Sequence, residues 1–233
     1  VEDWKLKEGG YAFLQFLVAL LLPVTIYGIR CLRDFMGLSP GEGASLLEIL
    51  LWTLPILAPV GIVDGIMFAL GCSLHVNRRQ KGSTSIGRVY LLEALGAGTG
   101  GVLYTFLFIP FLSSFQVAFL LGGANLVSGF LLLVTGDEGQ KKKWILSGVL
   151  GSFLGVELML LSLSGAERIE EGSRDRMWRG IEVLQSRWSP FGNVTVGRRE
   201  GQITFFSNGI PICNVPVPNI ALIEEGVHYP LLA

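Results

Sequence analysis

The stretch Tyr11–Ile29, YAFLQFLVALLLPVTIYGI, decides the architecture: nineteen residues without a charge, close to the ~20 that a helix needs to cross the ~30 Å hydrocarbon layer of a bilayer. Three more runs share its character, Val89–Ile109, Phe115–Thr135 and Trp144–Ser164, each with at most one charged side chain. A fifth, Leu46–Leu74, is longer and contains Pro55, Pro59 and Asp64. It reads either as one kinked, tilted span or as a partly re-entrant one. Composition agrees, with 50% hydrophobic and 16% charged residues and a mean hydropathy of +0.54. Residues 1–165 are therefore expected to form an α-helical bundle of about five spans in a multi-pass protein of the plasma (inner) membrane.

A net charge of −1 offers no field to attract nucleic acid, and no such partner is expected. Cys31, Cys72 and Cys213 fall in no Cys-x-x-Cys or Cys/His ligand spacing, and neither His75 nor His228 has a second ligand at metal distance. Neither a metal site nor a cofactor is expected.

Beyond the spans the periodicity changes. Residues 166–188 are mixed in charge and helix-compatible, and read as a connector. From Asn193 onward apolar residues alternate with polar ones, as in half-buried strands. Glu200-Gly201 and Asn208-Gly209 are hairpin turns, the latter suited to the positive φ of a type I′ turn. Three strands follow, Asn193–Arg199, Gln202–Ser207 and Ile210–Val215. Pro216 and Pro218 end the third, and Asn219 is placed to cap a helix through Ile220, Ile223 and Val227. Such a meander buries little by itself, so it should pack on something outside the chain. Its edges are expected at Asn193–Arg199 and Ile210–Val215, with Val194, Phe205 and Ile212 as contacts for another protein chain.

The segments Ser189–Val196 (SPFGNVTV), Glu200–Gly209 (EGQITFFSNG) and Glu224–Ala233 (EEGVHYPLLA) resemble, in order and spacing, the N-terminal β-domain of the spermidine/spermine synthase family. The spans, with Gly87–Tyr90 leading into Leu95–Gly101, are similar to the multi-span module fused ahead of such domains in bacterial proteins. The resemblance implies a β-hairpin domain over 189–233, used for subunit contacts. It also implies that the Rossmann-like domain binding decarboxylated S-adenosylmethionine lies outside this chain. The family's amine-holding pair before the residue matching Glu224 is here Leu222 and Ile223, its usual Gln is Gly192, and its Tyr is Phe191. No catalytic residue is thus implied. The resemblance points to a non-catalytic membrane subunit or anchor module of polyamine-synthase type; a membrane-bound aminopropyltransferase-like enzyme lacking its nucleotide domain is the alternative.

Within the spans, Asp64, Glu93 and Glu157 are carboxylates in apolar surroundings, costly enough to be candidates for an intramembrane cation or partner site. Asp64 follows Pro55, Pro59 and Gly61, where a broken helix would expose carbonyls able to join it in binding an ammonium. The structural alternatives are pairing of Glu93 with Arg88, and hydrogen bonds from Glu157 to Ser152 or Ser162. Asn125 is expected to make an interhelical hydrogen bond, and Glu48 to sit near an interface. Recognition of a cationic amine, for transport or sensing, is therefore a third functional reading. Gly96-Ala97-Gly98-Thr99-Gly100-Gly101 satisfies GxGxxG, but it lies inside a span and is expected to serve close helix packing. Basic residues lean nine to six toward a β-domain outside the cytoplasm. The cytosolic location of adenosyl substrates in the resembling family points the other way, so both orientations stand.

Overall fold

Each long apolar stretch satisfies its own backbone hydrogen bonds as helix. The computed structural model describes residues 2–79, 82–135, 140–162, 164–218, 220 and 224. Six helices carry the chain to residue 177: α1 (Glu2–Met36), α2 (Leu46–Arg79), α3 (Gly82–Leu103), α4 (Ser114–Thr135), α5 (Gln140–Ser162) and α6 (Gly165–Met177). A π-helical turn, Tyr104–Phe108, and a last turn, Ile109–Phe111, extend α3. Five stretches are long and apolar enough to cross a membrane: Gly9–Met36, Leu46–Leu74, Gly87–Phe111, Ser114–Thr135 and Trp144–Leu161. Of the two readings of the proline-containing stretch, a single helix is the one observed, since α2 runs through Pro55 and Pro59 without interruption.

Local chemistry sets the helix starts. The Ser45 amide donates to Glu48 Oε2 at 2.9 Å and the Glu48 amide returns to Ser45 Oγ at 3.3 Å, a capping box ahead of α2. Ser113 and Gln116 repeat it at α4, with the Ser113 amide 2.8 Å from Gln116 Oε1.

The chain divides into two compact units, one of residues 1–29 and 50–172, the other of 30–49 and 173–233. In the first, Ala12 and Ala19 of α1 pack with Leu126 and Leu133 of α4 and Leu150 of α5. Phe16 meets Phe153 edge to face at 4.6 Å. Small residues bring α1 and α4 close, a Cβ at Gly129 standing 3.6 Å from the Ala12 backbone. The α3 glycines behave differently from expectation: a Cβ added at Gly96, Gly98, Gly100 or Gly101 would meet nothing within 4 Å, so helix packing at this run is not made among the described residues. Thr99 Oγ1 donates to the Leu95 carbonyl of its own helix at 2.8 Å.

The second unit is built on a four-stranded antiparallel meander, β1 (Glu182–Ser189), β2 (Gly192–Arg199), β3 (Gln202–Ser207) and β4 (Ile210–Val215), in the order β1-β2-β3-β4. Both expected turns form, with positive φ at Glu200 and Gly201 and at Asn208 and Gly209. Three expectations need correction. The connector contains a strand, because the bulge between Val183 and Gln185 hides the two-residue period of β1. That added strand makes Asn193–Arg199 central, leaving β1 and β4 as edges.

The third correction concerns packing, since one sheet face finds its cover within the chain. Trp178, 3% exposed, lies edge to face on Phe206 at 4.8 Å, Ile181 covers Gly197, and Gly41 lies against Pro211 and Phe206. The loop after α1 thus belongs to the core of the second unit. The helix expected after Asn219 falls largely outside the described residues, as do His228 and the Pro230–Ala233 ending.

Candidate functional site

Three places carry side chains whose environment calls for a functional explanation. The first is Glu157 on α5, 4% exposed. Its carboxylate lies over Gly122 and Gly123 of α4, so close that a Cβ at Gly122 would stand 2.6 Å from Glu157 Oε1. Its Oε2 has no hydrogen-bond partner among the described residues. Ser152, one expected partner, donates instead to the Val149 carbonyl at 2.9 Å, and the Ser162 side chain lies outside the described residues. Elsewhere along α4, Gln15 Nε2 of α1 donates to Ser128 Oγ at 3.0 Å.

The other two carboxylates are not gathered with it. Asp64 is exposed on α2 and Glu93 on α3, and among the described residues no group of three His, Cys, Asp or Glu side chains converges. The continuous α2 also removes the broken helix that would have exposed carbonyls beside Asp64. Glu48 serves the capping box. Asn125 Nδ2 donates to the Leu121 carbonyl of its own helix at 3.0 Å, a correction to the interhelical bond expected of it.

The second place is the uncovered sheet face. Register pairs Val196 with Phe205, Phe205 with Cys213, and Ile203 with Val215, so these side chains and Val194 share one face. Val194 is 52% and Phe205 39% exposed. Ile212, exposed at the β4 edge, occupies the bulge between the partners of Phe205 and Phe206 and so drops out of the alternation. The opposite face is closed and polar within. Thr195, fully buried, donates through Oγ1 to Asn193 Oδ1 at 2.6 Å and lies 2.8 Å from Ser186 Oγ. The Asn193 amide donates to Asn208 Oδ1 at 2.9 Å. Buried in this network, Asn193 is not presented as a glycosylation acceptor, although Asn193-Val194-Thr195 fits the sequon.

The third place is an open cleft of about 290 Å³ within the second unit, lined by four arginines.

Comparison with known proteins gives distant relatives of one kind. The chain is 26% identical over 125 residues to the polyamine aminopropyltransferase of Oceanobacillus iheyensis, an alignment covering 54% of this chain and 24% of the relative. It is 22% identical over 170 residues to polyamine aminopropyltransferase 1 of Streptomyces coelicolor, covering 67% of this chain and 31% of the relative. The chain therefore spans 24% and 31% of the length of these two relatives. No family model matches it, and no solved structure does. A distant homology to polyamine aminopropyltransferases over part of the chain is what these similarities establish.

Proposed function

We propose that the chain is the membrane-anchoring module of a polyamine-synthase-like assembly in the plasma (inner) membrane. Its helices sit in the lipid bilayer, its sheet docks another protein chain, and it carries no transfer chemistry of its own. One observation carries the reading: on the sheet face opposite Phe206, Val194, Val196, Ile203 and Phe205 lie side by side in an apolar strip in which Val194 and Phe205 are exposed. Soluble sheets normally hide such a strip or use it for association. The relatives support the polyamine link, and the portion of them that the chain does not match leaves room for chemistry carried elsewhere. The alternative of an enzyme portion lacking its nucleotide domain shares this surface and differs only in whether the partner is covalently continuous.

Purified chain is expected to copurify with a second polypeptide and to show no aminopropyl transfer. Phe205→Asp should release that partner while leaving the helical content unchanged, because it places a charge in the centre of the strip. Native mass measurement separates a second copy from a different subunit. Turnover by the chain alone, or a monomer with a protease-sensitive sheet, defeats the proposal.

A second reading, recognition of a cationic amine within the bundle, is favoured by Glu157 alone, a buried carboxylate with an unpartnered oxygen. It predicts that Glu157→Gln abolishes spermidine binding in detergent without unfolding the protein. Equal binding by parent and variant, or none by the parent, removes it.

A further inference from the structure

The sheet of the second unit is polarised along its strands. Of the five charged residues between 182 and 215, four stand at one end, Glu182, Arg198, Arg199 and Glu200, and there Glu182 and Arg198 pair at 3.7 Å. The other end is formed by two neighbouring turns, 189–192 and 208–209, and carries large apolar side chains instead. Phe191, at the tip of the first turn, is 95% exposed, and Trp188 and Ile210 beside the two turns are exposed as well. This end is ordered. Ser189 Oγ donates to the Gly192 carbonyl at 2.9 Å and accepts from the Phe191 amide at 3.3 Å. Asn208 lies against Gly192 and joins the two turns. The fifth charge, Arg187, precedes the first turn by two residues and has a stem long enough to carry its head away from an apolar surface. A ring held out by a structured turn, among other exposed apolar groups, contributes nothing to the sheet and calls for a contact outside the fold.

We propose that this end of the sheet is a lipid anchor, with Phe191 seated at the boundary between headgroups and acyl chains of the membrane that holds the helices. The proposal rests on the membrane reading of those helices. Continuity of the chain identifies the occupant. Arg33, in the last turn of α1, lies against the 208–209 turn, its Nη2 3.0 Å from where a Gly209 Cβ would be. It follows Ile29, the end of the charge-free run, by four residues of one continuous helix, about 6 Å along the axis. Headgroups occupy about 5–7 Å on each side of the hydrocarbon layer. With Tyr11–Ile29 filling that layer, the contact with Arg33 puts the 208–209 turn, and the 189–192 turn beside it, at headgroup depth. Phe35, in the same last turn of α1, is also exposed. Aromatic rings are favoured at this depth, where the ring meets acyl chains and its polar neighbours stay wet.

The test uses the full chain in phosphatidylcholine nanodiscs, with a photoreactive benzophenone analogue of phenylalanine replacing one residue at a time, at position 191, 200 or 62. All three positions are exposed, so the fold is kept. Ile62, on the span Leu46–Leu74, reports whether the helices lie in lipid, and Glu200 reports the charged end of the sheet. After illumination, intact-mass measurement should find phospholipid adducts at 62 and 191, and roughly tenfold less at 200. With the probe moved to position 210, Phe191→Asp should lower the adduct there about fivefold. Adduct at 62 with 191 no higher than 200 overturns the anchor and leaves the membrane reading standing. Absence of adduct at 62 removes the membrane reading and the anchor with it. A crosslink from 191 to another polypeptide in place of lipid makes the turn a protein contact, and an adduct at 210 untouched by Phe191→Asp denies Phe191 its role; either result also overturns the proposal. Phe205→Asp should leave the adduct at 191 unchanged, so the anchor and the docking surface can each fail alone.

Discussion

Replacing Trp178 with alanine is expected to lower amide exchange protection in β2 and β3 by a hundredfold or more, or to abolish it. The indole is 3% exposed, meets Phe206 edge to face, and helps close the one sheet face that is packed. Truncating a buried tryptophan typically costs about 3–5 kcal/mol, and a factor of ten in local opening corresponds to about 1.4 kcal/mol. Here little else could fill the space. Among the described residues the packed face of the four short strands is built from Trp178, Phe206, Ile181, the contact of Gly41 with Pro211 and the small buried residues of β2. The control is Trp188→Ala on β1, where the ring is 51% exposed and the change should stay within about 0.5 kcal/mol. Hydrogen exchange by mass spectrometry on the intact chain in detergent compares the two. Equal protection in both variants would show that the cover over Phe206 is not what holds the sheet.

The residue that matters most there was invisible as such in the sequence, and the reason is physical. The apolar spans could be read because lipid imposes a length and a composition on any helix that crosses it. The two hairpin turns could be read because positive φ at consecutive positions selects Glu-Gly and Asn-Gly locally. Trp178 sits at the end of a charged helix, and its value comes from Phe206, 28 positions away. The same holds for Gly41, whose contact with Pro211 turns an apparent linker into part of a core. Strand β1 was hidden by its bulge, which breaks the alternation that marks a strand. Among the candidate site residues, Glu157 was found from its cost in an apolar run. Its placement over Gly122 and Gly123 needed the helix pairing. Asp64 and Glu93 had the same signature in sequence, yet the structure leaves both exposed.

Gly192→Ala is expected to destabilise the sheet by about 3 kcal/mol, and Gly192→Gln by at least as much. Gly192 adopts φ +142°, a region costing residues with a Cβ roughly 1–3 kcal/mol. Any Cβ would also overlap the Asn208 side-chain amide. That amide accepts from the Asn193 backbone N–H, so displacing it leaves a donor of a residue only 6% exposed without its partner, worth a further ~1–3 kcal/mol. The resemblance read in the sequence implies a glutamine at this position. Gly192→Gln should therefore open the hairpin rather than create an amine site. The two contributions can be separated. In Gly192→Ala combined with Asn208→Gly the steric overlap is gone while the backbone cost stays, so the double variant should be more stable than the sum of the two single losses predicts, by about 1 kcal/mol or more. Exchange protection in β2 and β3 measures all three variants, and strict additivity would show that Gly192 and Asn208 do not constrain one another.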